Sequence, residues 1–442
     1  MTDYLSTAID PISAAALSRK GMHFALVDTS NHSEFESWLR ADTRGFHGSE
    51  PSAANIEANI TGVADRRTTG VWDGSALDAS APVATVSSWP LEMTVPGRST
   101  VQAWAISSVT VAPTHRRKGI ARAMLEAELR TAHELGVPLA TLTVSESTIY
   151  GRFGFAPAAF ATNLTIDTLR TKWTGPEAPG RLHFITPAQF RREVETMHDR
   201  VRLDSAGHIP AWGKRWDEIS GLTGDDKEHG AKLRAVRYDD VEGTARGLAL
   251  YRVSGGDGES ADDFSRHTLT VEYLSHETDD AYAGLWRYLL EVDLVSRVKA
   301  VHRSVDEPLL WLLSDRRGVS QSTWDHLWLR ILDVTRTLEA RAYSAPAHCV
   351  LRVTDDLGYA TGEYLLEVGD DGIGHVGIAD GSADARASIT LSVTALSALY
   401  LGGVSATTLT AAGLIQEHTP GSVAMIDAAF HWPRAPWLSI WF

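Results

Sequence analysis

The chain has 442 residues, more than one average domain needs, and its 43% hydrophobic and 22% charged residues are typical of globular proteins. Its 41 basic and 56 acidic residues give a formal net charge of −15. This balance argues against a general nucleic-acid binder, which needs a basic surface. The acidic surplus either favours cationic substrates or simply keeps the protein soluble.

The cysteine content limits which disulfides and metal sites the protein can form, and the N-terminal segment bears on its location in the cell. Cys349 is the single cysteine, which excludes an intrachain disulfide and a cysteine-based metal cluster. No His-Glu-x-x-His or similar ligand spacing occurs, so we expect no metal. The start "MTDYLSTAIDPIS" lacks the basic and then apolar pattern of a signal peptide, and no apolar run is long enough to span a membrane. We expect a cytoplasmic protein without a membrane span.

Strands and helices alternate in the first part of the chain. The apolar spacing of residues 119–136 predicts a helix that ends at Gly136, and "STIYGRFGF" (147–155) predicts a short helix and turn. A Pro- and Gly-rich linker follows at 174–180. The strands of this part are predicted at 82–95, 100–113 and 137–145.

Three consecutive basic residues separate a predicted strand from the helix at 119–136. Arg116, Arg117 and Lys118 precede Gly119, and cations are unfavourable at a helix N-terminus unless an anion joins them. The unpaired N–H groups of a first helical turn, with glycine allowing close approach, are suited to a phosphate. The pattern lacks the Walker and G-x-G-x-x-G signatures, which argues against a nucleoside triphosphatase or a Rossmann dinucleotide site. Taken alone, the cluster is also consistent with a solvated basic turn.

The second part of the chain repeats this pattern faintly. Residues 245–254 and 267–275 predict strands on either side of a hairpin loop at 253–266, and residues 280–295 predict a helix. The connector "HETDDAYA" (276–283) is acidic where the first part is basic, so we expect this copy not to bind a phosphate.

The third part has an α+β pattern. Short strands alternate with Gly/Asp turns, and a helix is predicted near 392–402. A seam at 340–349 precedes it. The predicted domains are 1–170, 171–338 and 339–442.

The segment "RRKGIA" (116–121) resembles the pyrophosphate-binding signature Arg/Gln-x-x-Gly-x-Gly/Ala of the GCN5-related N-acetyltransferases (GNAT). Further segments resemble the enhanced-intracellular-survival (Eis) type of this superfamily, and they lie in all three predicted domains. The resemblance implies two GNAT domains, each a mixed sheet flanked by helices, followed by an α+β domain like the sterol carrier proteins. The second GNAT domain is implied to be degenerate. The Eis-like segments are "SSVTVAPTHRRKGIARAM", "SESTIYGRFGF", "HLWLRILDV", "LEARAY", "LYLGG" and "DAAF".

The resemblance also implies acetyl-CoA as the co-substrate and a homo-hexamer built as a trimer of dimers. The strand backbone would bind the pantetheine, the basic loop would hold the pyrophosphate, and the end of the next strand would flank the other side. The implied acetyl-CoA residues are Val109, Thr110, Val111, Arg117, Lys118, Gly119, Ile120, Ala121, Arg122, Ser145 and Glu146.

Acetyl transfer to an amine requires a base for the amine and an acid for the departing thiolate. The resemblance assigns the acid to Tyr150, whose phenol is protonated at neutral pH, and the base to the C-terminal carboxylate of Phe442. An ordinary α-carboxylate, with a pKa of about 3.5, is a weak base unless burial raises the pKa or a water relays the proton. From the residues alone, a packing role is the favoured interpretation of Tyr150, and the aromatic tail "APWLSIWF" is consistent with a hydrophobic plug.

The substrate is expected to be a primary amine of a cationic molecule, of the aminoglycoside, polyamine or lysine type. Trp38 and Phe46 are candidates for its pocket through cation–π contacts, although Arg40 and Arg44 argue against a strongly acidic pocket. A different class of function is a lipid carrier or scaffold that uses the third domain and keeps a vestigial acetyltransferase site. The basic loop, Tyr150 and the terminal Phe442 favour the enzyme, because a carrier needs none of the three.

Overall fold

The structure, a computed structural model, describes residues 4–223, 227–255, 264–379 and 387–442. The chain forms two compact units. The first comprises Met1–Ala159, Asp325–Pro433 and Phe442, and the second comprises Phe160–Trp324 and Arg434–Trp441. Most of the loop predicted at 253–266 lies outside the described residues. Within the described part, no helix has the length and apolar character to cross a membrane.

The elements are numbered in chain order. The strands are β1 (Met22–Leu26), β2 (Arg67–Asp73), β3 (Ala84–Val95), β4 (Ser99–Val111), β5 (Leu139–Thr143), β6 (Ala156–Asp167), β7 (Arg181–Ile185), β8 (Leu233–Asp239), β9 (Ala245–Ser254), β10 (His267–His276), β11 (Val295–Arg303), β12 (Val319–Ile331), β13 (Ala347–Thr354), β14 (Gly362–Val368), β15 (Gly374–Ile378), β16 (Ala387–Ser392) and β17 (Ile415–Glu417). The α-helices are α1 (Pro11–Ser18), α2 (His32–Gly45), α3 (Ala53–Gly62), α4 (Ile120–Glu134), α5 (Ser147–Tyr150), α6 (Pro187–Val201), α7 (Gly213–Ile219), α8 (Lys227–Lys232), α9 (Asp279–Leu290), α10 (Val334–Glu339), α11 (Val393–Leu399), α12 (Ala406–Ala411) and α13 (Ser422–Phe430).

The strands and helices predicted in the first part of the chain are present as β3, β4, α4, β5 and α5, and Gly136 has a left-handed φ of +70° just after α4. One predicted element is wrong in extent. The helix expected over 280–295 ends at Leu290, and Val295 already begins β11. Leu294, at φ +63°, has left the helical region, and Val295 pairs with β10.

The first unit contains a mixed sheet with α4 packed on it. Strands β1 to β4 are antiparallel neighbours, β5 runs parallel to β4, and β12 runs antiparallel to β5. The neighbour of β5 is therefore β12, and not the β6 that follows β5 in the sequence. The apolar face of α4, with Met124, Leu125 and Leu129, is buried in the same core as Trp104 of β4. Burial of apolar surface stabilises this packing by about 25 cal/mol for each Å² removed from water.

A second sheet of the first unit has the strand order β15-β14-β13-β16-β17. A buried ion pair joins it to the segment that carries the GNAT-like motifs. Arg330 of β12 donates two hydrogen bonds of 2.7 Å to the carboxylate of Asp355, and a third of 3.1 Å to the carbonyl of Phe153. Removing either charged partner would leave the other unpaired in a dry site, which costs several kcal/mol.

The strands of the second unit also include both parallel and antiparallel neighbours. Strands β7 to β10 are antiparallel neighbours, β11 runs parallel to β10, and β6 runs antiparallel to β11. Helix α9 buries Leu285, Trp286 and Leu289 in the core beside these strands. A second cluster surrounds Trp216 of α7 and Phe190 of α6.

Four histidines of the second unit are held in surroundings that favour the neutral ring. Burial is the main cause in each, and it lowers the pKa of His276 and of His302 to about 4. It lowers the pKa of His198 and, more strongly, of His208, where the charges of His198, Arg202 and Arg303 act in the same direction. Neither ring nitrogen of His208 has a hydrogen-bond partner among the described residues.

We expect the second unit to lose stability as the pH falls below about 6.5, the ordinary pKa of histidine. The unfolded chain binds protons there while the buried rings stay neutral, so each ring lowers the free energy of unfolding by up to about 1.4 kcal/mol per pH unit. Urea unfolding at pH 7 and pH 5, followed by tryptophan fluorescence, measures the loss. His208→Leu should reduce it, and His375→Gln, an exposed site of the first unit, should not. An undiminished loss in His208→Leu would contradict this assignment.

Candidate active site

Strands β4 and β5 separate before either strand ends. They pair only over Ala103–Ala105 and Leu139–Thr141, although β4 continues to Val111. Among the described residues, no strand pairs with the β5-facing edge of β4 beyond Ala105. Backbone N–H and C=O groups on such an edge need partners, and an extended ligand can supply them as an added strand would.

A bulge in β4 accompanies this opening. Ser108 has a φ of +56°, and the register with β3 shifts between Thr85 and Ser87. A bulge bends its strand and interrupts the regular ladder. The predicted pantetheine-binding residues Val109, Thr110 and Val111 follow it, on the stretch that has separated from β5.

The basic loop leads into a helix start without a side-chain cap. Gly119 is the N-cap of α4 at φ +81°, and no side-chain oxygen accepts a hydrogen bond at this cap. Arg117 is also left-handed, at φ +63°, which turns successive backbone N–H groups toward one side. Arg116, Arg117 and Lys118 are exposed, and none of the three forms an ion pair within the described residues.

A fourth cation reaches the same loop. The Lys20 ammonium group donates to the carbonyl of Lys118, and a Cβ added at Gly119 would lie 3.1 Å from Lys20 Nζ. Four cations around an uncapped helix start repel one another unless an anion binds. Of the remaining predicted residues, Ile120 is buried in the core, Ala121 is half-buried, and Arg122 is exposed on the first turn of α4.

The turn after β5 carries the other predicted residues. Ser145 and Glu146 are exposed there, and Tyr150 ends the short helix α5 with 5% of its surface exposed. The rings of Phe155 and Trp328 meet the Tyr150 ring edge-on. Burial, with a smaller effect of the Glu146 charge, raises the pKa of Tyr150 to about 12. The phenol therefore keeps its proton throughout the neutral range and is a donor rather than a base.

The C-terminal residue Phe442 belongs to the first unit. The hydroxyl of Thr143, the last residue of β5, donates a 2.7 Å hydrogen bond to a carboxylate oxygen of Phe442. The Phe442 backbone N–H donates a 3.4 Å hydrogen bond to the same hydroxyl. Its ring meets the Trp89 ring of β3 edge-on, with centroids 5.8 Å apart. The terminal carboxylate is thus held two residues beyond Thr141, the last position at which β5 pairs with β4.

A cavity of about 530 Å³ lies beside the C-terminal turns of α2. Helix α2 packs on the bulged strand there, since a Cβ added at Gly45 would come within 2.5 Å of the Thr110 side chain. The charges of the cavity are mixed. It is lined by Ser37, Arg40, Ala41, Thr43, Arg44, His47, Gly48, Glu50, Asp78 and Ala81.

Neither predicted pocket aromatic is among the residues that line this cavity. Trp38 is 3% exposed, stacks on Phe35, and donates its indole N–H to the Thr69 carbonyl at 2.8 Å, so it is a core residue. Phe46, at the end of α2, is 50% exposed.

The helix α9 of the second unit begins with acidic residues and a side-chain cap, unlike α4. Helix α9 is capped by the Thr278 side chain, which accepts from the backbone N–H of Ala281, and its first turn carries Asp279 and Asp280. An anion at this position would meet like charges and a cap that is already satisfied. The charge inversion expected from "HETDDAYA" therefore lies at the start of a helix, as the basic loop does in the first unit.

Sequence reasoning missed Thr143, Trp89 and Lys20. Each acts through a contact with a residue at least 98 positions away in the chain, so no local motif contains it. Thr143 lies near the end of the strand predicted at 137–145, and this position was the only indication of its role in the sequence.

Comparisons with known proteins identify the family of the chain. Acetyltransferase (GNAT) domain families match residues 27–158 and 210–331, and the sterol carrier protein domain family matches residues 334–439. An uncharacterized N-acetyltransferase of Streptomyces avermitilis is 34% identical over 410 residues, which cover 91% of this chain and 95% of that protein. N-acetyltransferase Eis of Mycobacterium tuberculosis is 34% identical over 359 residues, 77% of this chain and 81% of that protein.

The crystal structure of Eis1 from Mycobacterium abscessus has a similar fold, with a TM-score of 0.79 and 27% identity, and the match covers 95% of this chain and all of that one. The predicted fold is confirmed, with two GNAT domains followed by a sterol-carrier-like domain. The identity to curated N-acetyltransferases over most of both chains shows the activity as well. The chain belongs to the Eis-type N-acetyltransferases of the GNAT superfamily and is an acetyl-transferring enzyme.

Proposed function

We propose that the first unit transfers an acetyl group from acetyl-CoA to a primary amine at the opening between β4 and β5. The observation that supports this most is the hydrogen bond from Thr143 to the Phe442 carboxylate, because it holds an acceptor for the amine proton beside that opening. The unpaired edge of β4 and the basic loop are the other two parts of the site.

Acetyl-CoA would lie along the open edge of β4, with the backbone of Val109, Thr110 and Val111 paired to its pantetheine. Its pyrophosphate would bind the N–H groups from Gly119 onward. The unpaired charges of the basic loop support this, since they lack a counter-anion among the described residues. The proposed residues of this loop are Arg117, Lys118, Gly119, Ile120, Ala121 and Arg122, with Ser145 and Glu146 on the opposite side.

The chemistry needs one proton acceptor and one proton donor. Acetyl-CoA supplies an activated acetyl thioester. The amine nitrogen bonds to the acetyl carbon, and its proton passes to the Phe442 carboxylate, directly or through a water. The carbon–sulfur bond breaks, and the Tyr150 hydroxyl gives its proton to the departing thiolate. The raised pKa of Tyr150 supports the donor role, because the phenol stays protonated throughout the neutral range.

The proposed substrates are cationic molecules with a primary amine, of the aminoglycoside, polyamine or lysine type, bound in the cavity beside α2. The Arg40 guanidinium is paired with Glu36 at 2.6 Å and with Glu50, which offsets its charge. Hydrogen bonds from Ser80 lower the pKa of Asp78, so this carboxylate is ionised and can attract an ammonium group. Arg44 and His47 make the cavity less acidic than such a substrate would favour.

The domain limits, the oligomeric state and the location stay predictions. The domain limits 1–170, 171–338 and 339–442 are supported by the ranges that the family matches cover. The homo-hexamer and the cytoplasmic location rest on the family resemblance and on composition. Lipid carriage with a vestigial acetyltransferase site is the alternative, and it requires that no amine releases thiol from acetyl-CoA.

We expect Arg117→Ala with Lys118→Ala to raise the KM for acetyl-CoA by about 10- to 100-fold, because two charge-assisted contacts to phosphate are lost. The kcat should change little, since neither side chain touches the acetyl group. Thiol release from acetyl-CoA over a panel of amines measures both constants. Arg297→Ala with Lys299→Ala removes the same charge from two exposed positions of β11 in the second unit and is the matched control. Equal losses in kcat and KM would argue against a phosphate-binding role.

We expect Tyr150→Phe to lower kcat by about 100-fold or more, since the thiolate loses its proton donor. The KM for acetyl-CoA should stay the same. In the unmodified chain, activity should not decline near pH 10, the ordinary pKa of tyrosine, because that of Tyr150 is about 12. Initial rates from pH 7 to pH 10.5 measure this, with Tyr364→Phe as a control that loses a hydroxyl elsewhere in the first unit. A fully active Tyr150→Phe variant would remove the general acid.

We expect one glycine added after Phe442 to reduce kcat by about 100-fold, because an amide replaces the carboxylate and the charge moves about 3.8 Å away. Thr143→Val removes the hydroxyl that holds the carboxylate and should cost about 10-fold, while Thr143→Ser should restore most of the rate. Thiol-release rates and melting temperatures are measured together. Full turnover by a stable extended chain would overturn the carboxylate as base.

A further inference from the structure

The second unit contains the same kind of opening as the active site. Strands β10 and β11 pair in parallel only as far as Val271 and Ala300, and both then continue separately, to His276 and Arg303. The register of β10 with β9 shifts between Val271 and Tyr273, as that of β4 with β3 does at its bulge. In the first unit, the corresponding opening is the proposed binding site of acetyl-CoA.

The chain's own C-terminal segment fills this opening. Trp437 and Ser439 line it together with residues 271–274 of β10 and 301–303 of β11, and the space that remains is about 10 Å³. That is room for about one water molecule. Leu438 and Ile440 are fully buried. A pantetheine chain has no space here while the segment 434–441, called the tail below, is in position.

Hydrogen bonds fix the tail in one register. The Trp437 backbone N–H donates to the Ala206 carbonyl at 2.8 Å, and its indole N–H donates to the His302 carbonyl at 2.7 Å. The backbone N–H of Ala435 donates to the Asp306 carboxylate at 2.8 Å. The indole N–H of Trp441 donates to Nε2 of His302. That nitrogen accepts only when the ring is neutral, and burial, which lowers the pKa of His302 to about 4, keeps it so.

Aromatic and cationic groups hold the Trp437 ring from two sides. The guanidinium of Arg303 lies 5.0 Å from the ring centroid, and the His208 ring meets it edge-on at 4.9 Å. Arg303 also donates to the Leu274 carbonyl at 3.2 Å, which spans the opening from β11 to β10. Its charge is balanced by the buried Glu307 at 3.0 Å. The opening is therefore built around an aromatic peptide segment and not around a phosphate-bearing ligand.

We propose that the opening between β10 and β11 is a docking site for the chain's own residues 434–441, and that His302 and Trp437 are positioning residues for the terminal carboxylate. Phe442 is bonded directly to Trp441, so fixing the tail restricts where that carboxylate lies. His302 stands two residues beyond the last paired position of β11, as Thr143 does in β5. The consequence for turnover rests on the proposed function, whereas docking itself does not.

Release of C-terminal residues by a carboxypeptidase that prefers aromatic ends tests docking in the full chain without reference to activity. Trp437→Ala should release Phe442 and Trp441 more than about 10-fold faster, because a bound aromatic anchor is lost. Trp311→Ala, an exposed tryptophan of the same unit, should leave the rate unchanged. A folded Trp437→Ala variant with the original release rate would overturn the docking site.

The role in positioning has a separate readout. His302→Ala should lower kcat by about 10-fold with an unchanged KM for acetyl-CoA, and His302→Gln, which keeps an acceptor at a similar reach, should recover most of the rate. Faster release of the tail with an unchanged kcat would overturn positioning. If the glycine-extended chain is fully active, the proposed base fails while the release measurement still decides docking.

The number of acetyl-CoA molecules bound gives the third measurement. Calorimetric titration of the full chain should give one per chain, since the second opening is filled. Two per chain would mean that the cofactor displaces the tail, and the docking site would be rejected.

Discussion

A pair of parallel strands that separates before its end leaves backbone N–H and C=O groups without partners, and such groups must be satisfied. This constraint shapes both units. In the first, the bulge at Ser108 and the early end of pairing at Ala105 leave an edge of β4 that an extended ligand can join. In the second, the chain provides its own ligand, the tail. On the two proposals, one architectural feature serves acetyl-CoA binding in the first unit and docking of the chain's own tail in the second.

Electrostatics separates the two uses. Helix α4 begins without a side-chain cap behind four cations, a state that is favourable only with an anion bound. Helix α9 begins with a threonine cap and two aspartates, so its start is already satisfied. The two helix starts therefore differ in cap and in charge, while the parallel strand pairs beneath them separate in the same way.

Local signals predicted the parts of the site that lie within one segment. The basic loop, α4 and the turn with Tyr150 could be read from spacing and charge. The pairing of β5 with β12 instead of β6 could not be predicted from the sequence. The composition of the two strands does not decide which of them pairs with β5. The core position of Trp38 could have been predicted from the sequence. With Phe35 and Leu39 it forms a helical apolar face, which packs in the core and not in a pocket.

A base at the chain terminus, as proposed for Phe442, imposes a demand that a side chain would not. A side-chain carboxylate is held by the backbone on both sides of it, but a terminal carboxylate has backbone on one side only and would fray in water. The tail replaces the missing constraint with two indole N–H groups and two buried aliphatic side chains. On this proposal, the aromatic ending "APWLSIWF" serves to position the carboxylate, and the apolar plug and the proposed base, which were alternatives in the sequence, are neighbouring parts of one segment.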